Sequence, residues 1–168
     1  MGGKSLSNSH TDVIEHAYHE YADMMYRIAL TYMHSREDAE DAVHDAFITY
    51  MEKAPRFRDA AHERAWMVRV TINKCLDAKR RHKLRQYVPL EDAEAESGSA
   101  VTDELPSELR DALDRLPDKL RLVTILHYFE GFSVSEVAAM TASTVSAVKM
   151  RLSRAREALK EILGGEAI

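Results

Sequence analysis

Near its end the chain sets Val145, Val148, Leu152, Ala155, Leu159 and Ile162 at spacings of 3, 4, 3, 4 and 3, which only an α-helix turns into one continuous apolar stripe. The same period governs most of what precedes it. Ile14, Ala17, Tyr18, Tyr21, Met25, Ile28, Ala29 and Tyr32 mark a first helix within residues 11–33, with Thr11 or Asp12 as cap candidates. Ala39, Ala42, Val43, Ala46, Phe47, Tyr50 and Met51 mark a second, opened by a capping-box-like Ser35-Arg-Glu-Asp38 and ended near Lys53 by Pro55. A third runs roughly over residues 64–83. Shorter helical stretches follow over residues 109–116, 119–129 and 134–140, punctuated by Pro117 and Gly131. Alternating apolar and polar residues, the signature of strands, are missing throughout, so an all-α fold class is expected.

Between the third helix and the short ones the periodicity stops. Residues 89–108 are acidic and small, with Glu91, Asp92, Glu94, Glu96, Ser97, Gly98 and Ser99. Such composition suits a flexible acidic linker. The chain therefore divides into two small helical domains, residues 1–86 and 108–168, joined by a linker over residues 87–107. Its 168 residues, 45% hydrophobic and 30% charged, are ordinary for globular units of this size.

Composition also limits the function classes. No window carries the roughly 18 uncharged apolar residues of a membrane span, and Met1 to His10 lacks the apolar core of a signal peptide, so a cytoplasmic location is expected. Cys75 is the single cysteine, which excludes an internal disulfide and a multi-cysteine zinc site; a structural role is expected for it. His16 and His19, with Glu15, Glu20 and Asp23, are the best candidates for a metal site. Zinc sites usually add a third fixed ligand, and glycine-rich phosphate loops and nucleophile motifs are absent. Hence no catalytic residue, metal or cofactor is expected.

The net charge of −5 conceals a partition. Residues 56–85 carry ten basic side chains against Asp59, Glu63 and Asp77, a local charge of +7, and residues 144–160 carry +4. The remainder is strongly acidic. Two basic segments in an acidic chain point to two nucleic-acid contacts and separate surfaces for other partners.

In the last helix, Val145, Val148 and Leu152 face the core, so Ser146, Ala147, Met150, Ser153 and Arg154 point away, flanked by Lys149 and Arg151. A short helix, a tight turn and a helix with a polar, basic outer face make a helix-turn-helix, whose second helix fits the major groove. Arg154, Lys149 and Arg151 can then reach bases or phosphates, and the backbone amides near Thr144 a phosphate. A solvated helix face is the bland reading of the same pattern.

The block Leu116-Pro-Asp-Lys-Leu-Arg, Tyr128-Phe-Glu-Gly-Phe-Ser, Glu136-Val-Ala, Thr144-Val-Ser-Ala-Val-Lys and Arg151-Leu-Ser-Arg-Ala-Arg-Glu-Ala-Leu resembles region 4 of sigma factors, which recognises the minus-35 promoter element. One departure stands out. Where the family has Leu-Gly-Ile in the turn, this chain has Thr141-Ala-Ser143. A looser turn is expected there, since Ala142 lacks glycine's freedom and two polar residues take semi-buried places.

The first domain carries its own match. Asp38-Ala-Glu-Asp-Ala-Val-His-Asp-Ala-Phe47 is similar to sigma region 2.2, and Arg64-Ala-Trp-Met-Val-Arg-Val-Thr-Ile-Asn73 to regions 2.3 and 2.4. The resemblance implies that Asp38, Glu40, Asp41 and Asp45 meet the clamp helices of the polymerase largest subunit. It also implies that Asn73 and Asp77 lie near minus-ten bases, and Arg69, Lys74, Arg80 and Arg81 near phosphates. The loop over residues 56–63, with Phe57 and His62, sits where the family captures an unstacked base; Trp66 is expected in the core. Only regions 2 and 4 fit this length, the architecture of the extracytoplasmic-function (ECF) group. Core RNA polymerase (clamp helices and flap), promoter DNA and a cognate anti-sigma factor are the partners implied, with no insertion into a membrane.

Other readings stay open at this point. A helix-turn-helix repressor with a helical sensor domain explains the second half, but gives the basic third helix no role. An anti-sigma-like decoy would have shed basic charge, and both basic segments are intact.

Overall fold

The computed structural model describes residues 4–33, 35–53, 55–85 and 105–164, and those residues form seven α-helices and no strand. Residues 86–104, which hold most of the expected linker, lie outside them. Three long helices make the first unit: α1 (Lys4–Met33), α2 (Arg36–Lys53) and α3 (Ala60–Arg85). Each packs on the other two. Met25, Ile28, Ala39, Ala46, Met67, Val68 and Cys75 are fully buried between them, and a large apolar side chain so placed stabilises by roughly 1.5–3 kcal/mol.

Helix α1 starts at Lys4, upstream of Thr11 and Asp12, so neither caps it. Nothing between Lys4 and Thr11 breaks a helix, and propagation through polar residues costs little once a stripe is anchored. Ser35 does act at the next start, accepting from the Asp38 amide at 3.4 Å. At α3 the Asp59 carboxylate accepts from the His62 amide at 2.8 Å, which moves that helix start four residues ahead of the expected Arg64.

The second unit comprises α4 (Ser107–Asp114), α5 (Asp118–Thr124) with a π-helical continuation (Ile125–Phe129), α6 (Val134–Met140) and α7 (Val145–Ile162). Its core gathers Leu113, Val123, Leu126, Val137, Val148 and Leu152. Pro117 separates α4 from α5. The widened π turn closes when the Glu130 amide donates to the Ile125 carbonyl at 2.9 Å, and Gly131 then takes φ 76°. An abrupt exit in the left-handed region suits glycine.

In this structure the units lie against each other, α1 on α5 and α3 on α6. Polar and ionic contacts cross the seam beside the shared apolar core. Glu130 ties the second unit to Arg27 and Arg64 of the first, Lys79 meets Asp118 at 3.4 Å, and Arg121 donates to the Thr31 carbonyl at 3.1 Å.

Candidate nucleic-acid interface

Helix α6, the turn over residues 141–144 and α7 are set by two side-chain caps. Ser133 and Glu136 form a full capping box, each side chain bonded to the other's amide at 3.1 and 2.8 Å. Thr144 accepts from the Ala147 amide at 3.1 Å. Both caps are worth about 1 kcal/mol. They fix where α7 begins, and so which of its residues face outward.

The turn is not loose, contrary to expectation. Ala142 takes φ 51°, a conformation that costs an L-residue with a Cβ about 1–2 kcal/mol. The polar neighbours hold it: the Thr141 hydroxyl donates to the Val137 carbonyl at 2.7 Å, the Ser143 hydroxyl to the Thr141 carbonyl at 3.2 Å, and Arg151 Nη1 to Ser143 Oγ at 2.8 Å. Residues that are semi-buried and polar are therefore satisfied. Arg151 is spent partly on this brace.

Of the outward set, Thr144, Ser146, Lys149, Met150, Ser153 and Arg154 are exposed, and Arg151 is half-buried. Val148, Leu152 and Ala155 carry the core face. Thus α7 presents one polar, basic face to solvent, with the large exposed Met150 at its centre.

On α3, Arg69, Asn73, Asp77, Arg80 and Arg81 are exposed and Lys74 is half-buried. Arg80 and Asp77 form an exposed pair at 3.7 Å, which is weak in water. Phe57 of the preceding loop lies near-parallel to Tyr50 at 6.2 Å between ring centres and edge-on to Trp66 at 5.7 Å, with His62 edge-on to Phe57 at 5.4 Å. Trp66 is half-buried and packed on the core. Glu63 accepts from the Tyr50 hydroxyl at 3.1 Å; burial first, then that carboxylate, pushes the Tyr50 phenol up to about 12. An aromatic cluster of Tyr50, Phe57, His62 and Trp66 thus underlies the loop at the start of the basic helix.

The acidic candidates occupy α2. Asp38, Asp41 and Asp45 line one recess with His44, Arg81 and His82, while Glu40 and Asp41 rim an apolar groove floored by Tyr18, Tyr26 and Phe47. His82 Nε2 stands 3.8 Å from Asp38. These carboxylates therefore share one side of the first unit. Another apolar groove, between α4, α5 and α7, is lined by Leu109, Leu113, Tyr128, Phe129, Leu159 and Leu163.

The sequence alone assigns no role to Arg27, Arg64, Arg121 or Glu130, which the fold brings together at the seam. Glu130 sits inside the region 4-like block and Arg64 in the first basic segment, where neither signals a partner. Among the described residues, His16 and His19 belong to no cluster of three or more potential metal ligands, and no helix is long and apolar enough to cross a membrane.

Two family models match the chain: sigma-70 region 2 over residues 17–85 and sigma-70 region 4 over residues 107–159. The ECF RNA polymerase sigma factor SigM of Mycobacterium tuberculosis is 33% identical over 140 residues, covering 83% of this chain and 71% of SigM. The chain belongs to the ECF sigma factor family. ECF sigma factor SigW of Bacillus subtilis is 27% identical over 158 residues, covering 85% of this chain and 84% of the relative. Among solved structures, the sigma factor RpoE in complex with the anti-sigma factor NepR from Bartonella quintana shares the fold, with a TM-score of 0.71, 22% identity, and 91% and 98% of the two chains covered. CnrH, in complex with the cytosolic domain of CnrY, gives a TM-score of 0.61 at 22% identity over 94% of this chain and 91% of CnrH. As an ECF sigma factor, this protein directs promoter-specific transcription.

Proposed function

We propose that the chain acts as a non-catalytic, cytoplasmic subunit of RNA polymerase whose first domain reads and melts the minus-ten element and whose second reads the minus-35 element. The observation that carries this division is the pairing of two outward basic helical faces on separate units, α3 and α7, with an acidic face on α2. Lys149, Met150, Ser153 and Arg154 meet base edges in the major groove, while Thr144 and Ser146 at the start of α7, with Arg151, take phosphates. Asn73 and Asp77 lie against unstacked bases, and Arg69, Lys74, Arg80 and Arg81 against the strand backbone. Opening a duplex costs stacking energy that a pocket must replace, and the Phe57, Tyr50 and Trp66 cluster under the loop supplies a firm floor for one.

The α2 carboxylates Asp38, Glu40, Asp41 and Asp45 dock on the clamp helices of the polymerase, and the apolar groove of the second unit takes the flap. The solved relatives were captured with anti-sigma partners, which supports a cognate anti-sigma factor here. Two domains binding two promoter elements and one polymerase gain by effective concentration.

Charge reversal tests the docking face. Asp41→Arg with Asp45→Arg is expected to weaken binding to core polymerase at least tenfold in a native-gel titration, with helical content kept. Unchanged affinity would remove these residues from the interface.

A further inference from the structure

Met150 sits on the outward face of α7 and is 52% exposed. Val148, Leu152, Ala155 and Leu159 turn to the core, and at about 100° per residue Met150 points almost directly away from them. Its neighbours on the helix surface, three and four residues off, are Ser146, Ala147, Ser153 and Arg154. All but Arg154 are small, so the thioether chain rises above its surroundings. Val145, the other exposed large apolar residue of α7, lies in the first turn on the flank nearer the core. The exposed side chains immediately around Met150 are hydroxyls and cations, from Ser146, Lys149, Ser153 and Arg154.

We propose that Met150 is a specificity-determining residue that selects a thymine in the minus-35 element through the C5-methyl group of that base. This role rests on the reading of α7 as the major-groove helix and deepens it. Among the groups that tell one base pair from another in the major groove, the thymine methyl alone is apolar; the rest donate or accept hydrogen bonds. A methionine side chain has no donor and only a weak thioether acceptor. Set against an amino or carbonyl edge, it would strip water from a polar group and return no bond, which is unfavourable. Set against a methyl, it removes apolar surface from water on both partners, and its flexible chain fills the space without demanding one orientation. The small Ser146, Ala147 and Ser153 let the helix approach closely enough for that contact. Lys149 and Arg154 beside it supply the donors for guanine edges, so an apolar reader stands among polar ones.

Holoenzyme assembled from the full chain and core polymerase is the material for the test. Promoter fragments recovered by transcription of genomic DNA are randomised over the minus-35 element, and the duplexes that the holoenzyme retains are sequenced. A thymine is expected at one position of the selected element. Replacing it by deoxyuridine, which deletes the methyl and keeps the base pair, is expected to weaken binding about three- to fivefold in a competition gel, the effect of one buried methyl group. Met150→Leu is expected to keep that penalty. Met150→Ser is expected to reduce it below about 1.5-fold, the coupling that two groups in contact show. Both substitutions fall on an exposed site, where they cost the fold little. A base preference without a methyl-sensitive thymine, a deoxyuridine penalty equal in the wild type and Met150→Ser, or a penalty lost in Met150→Leu as fully as in Met150→Ser would overturn the assignment of Met150 while leaving α7 as the reading helix. An upstream element with no base preference at all would remove the reading of α7, and the role of Met150 with it.

Discussion

Arg121, 4% exposed, donates through Nη2 to the backbone carbonyl of Thr31 at 3.1 Å, across the seam between domains. The same guanidinium donates to the Asp114 carbonyl at 2.9 Å and pairs with Asp118 at 2.9 Å, while its Nε atom has no partner. Asp114 is the last residue of α4, so Arg121 satisfies a helix-end carbonyl that has no bond within its own helix.

Removing it orphans two acceptors, the buried Thr31 carbonyl and the part-buried Asp114 carbonyl. Arg121→Met keeps much of the volume and is expected to cost about 2–3 kcal/mol, read as a lower urea midpoint. A change below about 0.5 kcal/mol would show that water replaces these bonds at no cost.

The turn before α7 makes the opposite forecast. Ala142 holds φ 51°, so Ala142→Gly is expected to stabilise by about 0.5–1 kcal/mol, strain relief exceeding the added unfolded-state entropy. Ala142→Val is expected to destabilise by more than 1 kcal/mol. Thermal midpoints of the three proteins decide it; a destabilising Ala142→Gly would contradict the strain assigned to this turn.

Cys75 is fully buried, and burial pushes its thiol from near 9 up to about 12, with Lys79 pulling weakly the other way. Burial likewise raises the Tyr32 phenol to about 12. An acid whose folded pKa lies above its unfolded value keeps its proton longer when folded. Stability is then full below the unfolded value and falls as pH rises from about 9 toward 12. Urea midpoints are expected to decline through that alkaline window, and iodoacetamide is expected to alkylate Cys75 only after unfolding. Rapid alkylation of the folded protein at neutral pH would contradict the burial.

Arg154 is exposed on the outer face of α7, away from the Ser143 brace that engages Arg151. Arg154→Ala is expected to weaken upstream promoter recognition by about 1–3 kcal/mol, with core polymerase binding unchanged. Footprints on a mapped promoter give the measurement, and an unaltered upstream footprint would remove Arg154 from the reading set.

The helices were legible because each carries a stripe at its own period, and the outward face of α7 followed from Val145, Val148 and Leu152, of which Val145, in the first turn, is 40% exposed rather than buried. Helix starts were less so: α1 begins before its cap candidates, where no breaker stops it. The seam was not legible at all. Glu130 lies 103 residues from Arg27 and 66 from Arg64, and no local pattern signals a pairing made only when two domains meet. The turn was half legible: its departure from Leu-Gly-Ile was visible, yet the brace from Arg151 to Ser143 spans a helix start and needed the fold.

Transcription in vitro tests the central claim most directly: core bacterial polymerase, a pool of genomic fragments, and the chain present or absent. Protein-dependent starts that share two spaced upstream motifs are the predicted result. Core polymerase that binds the chain yet initiates nowhere, or that does not bind it, would contradict a promoter-directing role.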